Sequence, residues 1–122
     1  MFTFPISFFK ASSGGGGGDT YTNYYSNEFD GSNDYITMGN VLDQDGTDAF
    51  SMSFWVNFDT LVGHLVGKML HTSPVTGYAA YMNSNLLRFA IINSWSGNAL
   101  AVEMDATPST GVWQHIAITY DG

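Results

Sequence analysis

Two carboxylates set two residues apart, Glu103 and Asp105, are the arrangement in this 122-residue chain that stands nearest to catalysis. In a strand, the two-residue period turns both toward one face, roughly 5–7 Å apart, a separation that suits retaining glycoside hydrolysis. The same residues also describe a plain polar strand face opposite Val102 and Met104. A second group, Asp30, Asn33 and Asp34, collects hard oxygen ligands in one turn, and Ca²⁺ is the cofactor such a set would take. Asp43-Gln44-Asp45-Gly46 spells part of a calcium loop. Aligned on the third, fifth and sixth positions of an EF-hand, however, it puts Val41 first and Met52 twelfth, so it reads as a solvated acidic turn. His64 and His71 lack zinc-ligand spacing and have no third ligand at a motif distance. The three histidines lie in unrelated strand contexts, so no Ser–His–Asp set can be built. For carbohydrate, aromatic faces stack on pyranose rings while amides fix hydroxyls. Trp95, in a Ser/Asn/Gly turn, with Tyr78, Tyr81 and Asn93, forms the candidate ligand set. Trp55 and His115 read as packing residues.

The elements that must hold these groups are strands. Phe50–Phe58 places Phe50, Met52, Phe54, Val56 and Phe58 on one side and Ser51, Ser53, Trp55 and Asn57 on the other, the alternation of a strand with one face in a core. Further strands are expected over 35–38, 65–70, 78–82, 86–93, 99–106 and 113–120, with a hairpin turn at Asn83-Ser84-Asn85. Gly, Asn, Ser and Pro punctuate the intervals. Strong helix formers are scarce and aromatics reach 16%. The pattern predicts an all-β antiparallel jelly-roll sandwich.

Apolar residues make up 44%, enough for one modest core. Eleven acids against three bases give a net charge of −8, which disfavours nucleic acid and anionic membranes as partners. No cysteine is present, which excludes disulfides, thiol catalysis and cysteine zinc sites. Residues 1–10 form a short apolar segment, too short to span a membrane and readable as a strand or a docking anchor. Its base, Lys10, follows the apolar run instead of preceding it, so no standard signal peptide is expected. Residues 11–20 are a Gly/Ser-rich linker; they lack the Lys-Ser/Thr ending of a phosphate loop. Residues 21–122 form the sandwich domain.

Phe29-Asp30-Gly31-Ser32-Asn33-Asp34-Tyr35-Ile36, Phe54-Trp55, Leu65-Val66-Gly67-Lys68, Gly77-Tyr78, Leu87-Arg88-Phe89 and Trp113-Gln114-His115-Ile116-Ala117-Ile118-Thr119-Tyr120-Asp121-Gly122 occur in that order. Together they resemble the laminin G-like branch of the concanavalin A-like lectin/glucanase superfamily. The resemblance implies a jelly roll and non-catalytic binding of a glycan or protein surface, in many members with Ca²⁺. It also implies further closing strands past Gly122, so the domain is expected to be incomplete, with an exposed sheet edge able to pair with another chain. Glucanase relatives carry Glu-x-Asp-x-Glu on one strand; here Glu103-Met104-Asp105-Ala106-Thr107 lacks the third carboxylate. Pentraxin-like relatives take calcium ligands from the loop before the strand at 78–82, but here that loop, 71–77, carries no acid. Two other roles remain open: a structural or receptor-binding protein of a virus or phage particle, and a glycoside hydrolase remnant. The implied location is extracellular or a virion surface.

Overall fold

The structure, a computed structural model, describes residues 2–4, 25–44, 46–94 and 97–122. Eight strands form: β1 (Phe2–Phe4), β2 (Asn27–Phe29), β3 (Phe50–Phe58), β4 (His64–Leu70), β5 (Thr76–Asn83), β6 (Leu86–Ser94), β7 (Asn98–Glu103) and β8 (Trp113–Tyr120). They build two four-stranded sheets, ordered β2-β1-β3-β8 and β4-β5-β6-β7, with every strand pair antiparallel. The expected all-β antiparallel sandwich is what the chain forms. Among the described residues no helix is long and apolar enough to cross a membrane.

The core lies where β3 and β8 meet β5 and β6. Val56 and Phe58 are fully buried, and Tyr78, Ala80, Met82, Leu87, Phe89 and Ile116 pack around them. Phe50, Met52 and Phe54 extend the same face of β3, as their alternation requires. Each large side chain there contributes about 1.5–3 kcal/mol of transfer free energy.

The tight β5–β6 hairpin forms as expected. Ser84 and Asn85 both take positive φ, 50° and 67°, the two left-handed positions of a two-residue turn whose twist matches the strands. β4 and β5 run so close at Gly67 that a Cβ there would sit 2.7 Å from the Cβ of Ala79.

Two elements differ from expectation, and a third takes one of two roles left open. Residues 35–38 are not a strand: Tyr35, Ile36 and Met38 are exposed, because this stretch has no ladder partner. The loop that contains them is pinned further on. Lys68 Nζ donates to Asn40 Oδ1 (2.8 Å), Val41 O (3.1 Å) and the Asp43 carboxylate, and Tyr78 OH donates to Leu42 O (2.9 Å). β7 stops at Glu103 instead of continuing to residue 106; Met104 N–H still bonds Leu87 O at 2.9 Å, and the chain then bends. Finally, Phe2–Phe4 pairs with both β2 and β3 within the first sheet, the strand role among the two open to that segment. The linker at 11–20 lies outside the described residues.

Candidate functional site

The outward face of β3 and β8 carries two exposed tryptophans, Trp55 and Trp113. Register sets Trp55 opposite His115 and Asn57 opposite Trp113, all pointing away from the core. Trp55 is 49% exposed and Trp113 44%, far above the core value for rings this large. The Trp55 and His115 rings meet at 5.2 Å between centroids, tilted by 45°. Ser51, Ser53, Ala117 and Thr119 continue the same face as a low, uncharged floor. Trp55 and His115 pair with each other across the strands, and about half of Trp55 stays exposed. A strand face with two large exposed rings and small hydroxyl neighbours can stack on the apolar side of a sugar and hydrogen-bond its edge.

Of the residues expected to bind ligand, Tyr78 and Tyr81 do not come together. Tyr78 is 6% exposed, packs against Phe50 at 5.1 Å and spends its hydroxyl on Leu42 O, which leaves no ring face for a ligand. Burial raises its pKa above the usual phenol value, partly offset by Lys68. Tyr81 lies on the opposite face of β5. Its ring stacks on His64 (5.2 Å, 26°), and its hydroxyl accepts from Arg88. Asn93 is exposed near the end of β6. Trp95 lies outside the described residues.

The carboxylates are also committed. Glu103 Oε1 accepts from Asn83 Nδ2 at 2.7 Å and forms an ion pair with Arg88 Nε at 2.8 Å, directly across the β6–β7 ladder. The Asn83 hydrogen bond, then Arg88, hold its pKa below the usual carboxylate value, the opposite of what a general acid needs. Asp105 sits past the end of β7 in a bend, so the shared strand face expected of the two acids does not form.

In the 30–34 turn, Asp30 Oδ1 accepts from Ser32 N–H (2.7 Å) and Asp34 Oδ2 accepts from Asp30 N–H (3.0 Å). Both carboxylates thus cap the turn's own backbone; Asn33, between them, is exposed. Among the described residues no three His, Asp or Glu side chains gather as a metal cage. His64 and His71 do approach each other, rings edge-on at 4.9 Å, despite their separation in sequence. Burial, then the neighbouring His71, lowers the His64 pKa.

The signal for the aromatic face was present in the sequence. Trp55 and Trp113 each occupy the non-core parity of a strand whose other parity carries the core.

The family model for laminin G-like domains of the concanavalin A-like lectin/glucanases superfamily matches residues 30–122. The chain belongs to that superfamily, whose fold the two packed antiparallel sheets display. No curated protein and no solved structure matches it. Membership supports a binding module in the general sense.

Proposed function

We propose that this chain is a non-catalytic carbohydrate-binding module whose ligand face is the outward side of β3 and β8. The observation that carries the reading is the joint exposure of Trp55, Trp113 and His115, whose ring meets that of Trp55, on one strand pair. Isolated exposed apolar residues are ordinary on protein surfaces, but a cluster of large rings on one sheet face marks a binding surface. The engagement of Glu103 by Arg88 and Asn83, with Asp105 past the end of β7, argues against the hydrolase reading, since the two carboxylates share no strand face. This reading implies work where glycans are displayed, at an extracellular or virion surface.

A glycan array probed with the chain tests it. Wild-type protein is expected to select a subset of glycans. Trp55→Ala and Trp113→Ala should each weaken binding by about 2–12-fold, the worth of one aromatic contact of roughly 0.5–1.5 kcal/mol. Both rings are half exposed, so melting temperatures should change little. Selective binding that survives both substitutions would reject the assigned face; no selective binding would reject the carbohydrate reading.

A further inference from the structure

His64 opens β4 and His71 follows its last residue, yet their rings meet at 4.9 Å between centroids, crossed at 88°. Sequence spacing gives this pair no metal-ligand pattern; the fold supplies the proximity that the spacing lacks. Both residues are exposed. His64 pairs with Tyr81 of β5 and stacks on its ring, which places the pair on the second sheet, away from the core and from the Trp55–Trp113 face.

The distance suits a shared metal ion. A metal–nitrogen bond is about 2.0–2.1 Å and a ring nitrogen lies about 1.1 Å from its ring centre, so two imidazoles set at about 90–110° on one ion have centres about 4.5–5.2 Å apart. Neighbouring groups also hold one ring in place. Tyr81 lies on the flat of His64 (5.2 Å, 26°), and a stack covers a ring's face, not the edge that carries its nitrogens. The Tyr81 hydroxyl in turn accepts from Arg88, which pairs with Glu103. A ring fixed beforehand loses less freedom on binding than a loose one. Burial, then His71, lower the His64 pKa, so at pH 7 it offers the neutral imidazole that a metal needs.

Ligand type selects the ion. Imidazole suits Zn²⁺ and Cu²⁺, whereas Ca²⁺ takes oxygen ligands. The net charge of −8 draws dications of every kind toward the chain. Preference for a nitrogen-seeking ion is therefore what distinguishes this pair from the acidic surface around it.

We propose that His64 and His71 form a two-imidazole site for a divalent transition-metal ion, Zn²⁺ or Cu²⁺, with water filling the remaining positions. The site is separate from the Trp55–Trp113 face and does not depend on its role.

The test is titration of the untagged full chain with Zn²⁺ at pH 7.5, followed by nuclear magnetic resonance of the histidine rings. The chain has three histidines, so each ring is assignable. The His64 and His71 signals should move together along one saturation curve that levels at one equivalent, while the His115 signals stay in place. Ca²⁺ at the same concentration should move none of the three. Calorimetry should show His64→Gln and His71→Gln each weakening Zn²⁺ binding at least tenfold, about the least that losing even a supporting partner costs a metal site. The proposal is overturned if the His64 and His71 signals do not move, if they follow separate curves, or if His115 moves with them. It is also overturned if Ca²⁺ reproduces the response, or if a folded variant loses less than tenfold. The ring titration uses unmodified protein, so it decides the matter even if a variant does not fold.

Discussion

Replacing Gly77 by alanine tests the packing of the second sheet more sharply than any core truncation. Gly77 lies in β5 opposite Met69 of β4 and Ile92 of β6, at φ +111°. A Cβ on this backbone would stand 2.0 Å from Lys68 O and 3.0 Å from both Lys68 C and Met69 Cα. These are main-chain atoms, so no rotamer change relieves the clash; β4 itself must move. Holding an L residue in the left-handed region costs about 1–2 kcal/mol, and forcing atoms into a packed contact adds about 1–3 kcal/mol. The total, about 2–5 kcal/mol, is a large part of the roughly 5–15 kcal/mol that holds a domain together. At about 4–8 °C per kcal/mol for a domain near 100 residues, the melting temperature should fall by at least about 8 °C. Thermal unfolding followed by circular dichroism reads this directly. Gly97→Ala, where an added Cβ meets nothing within 4 Å, is the control and should melt close to wild type. A Gly77→Ala protein that melts within 2 °C of wild type would refute the β4–β5 register and the closeness of the two strands.

Three further outcomes follow from the described contacts. Glu103 has its pKa lowered in the folded state by Asn83 and then Arg88, so its stabilising effect is present above the ordinary carboxylate range and is lost as pH falls through the folded value. Wild type should therefore lose more melting temperature than Glu103→Gln between pH 6 and pH 3; parallel profiles would show that the cross-strand pair does not form in solution. His64 also has a lowered pKa, from burial and then His71. Full stability is expected above its ordinary value of 6.5, declining as pH falls below it. Melting scans at pH 5 and pH 8 should show that decline in wild type and a shallower one in His64→Gln. In the β5–β6 turn, the paired change S84N/N85G installs the Asn-Gly preferred at two left-handed positions and should stabilise the chain by about 0.5–1 kcal/mol in a urea melt, with unchanged slope.

The strands that carry the core were legible because their side chains obey a strict two-residue period. β3 and β8 have the predicted limits, and the β5–β6 hairpin announced itself through Asn83-Ser84-Asn85. Strand pairing was less accessible. Tyr35 to Met38 has strand-like residue types but gains no neighbour, and side-chain type alone cannot supply one. The end of β7 at Glu103 likewise depends on where the chain turns, which the run Val102 to Ala106 does not encode. The candidate site was hardest to read, because which aromatics are exposed depends on which faces the sheets cover. Tyr78 and Trp55 are both aromatic residues on strands, yet one closes the core and the other stands half in solvent. Trp55 sat on the polar side of its strand, and that parity was the available clue. Pairing with His115 and Trp113 needed the β3–β8 register.

The central claim, a glycan face on β3 and β8, is tested most directly by nuclear magnetic resonance of the tryptophan indole N–H groups. The chain has three tryptophans, so three indole signals are expected, assignable by single substitution. Titration with a glycan selected on the array should shift the Trp55 and Trp113 signals together along one saturation curve. A selected glycan that leaves both signals in place, or shifts Trp95 alone, would contradict the assignment.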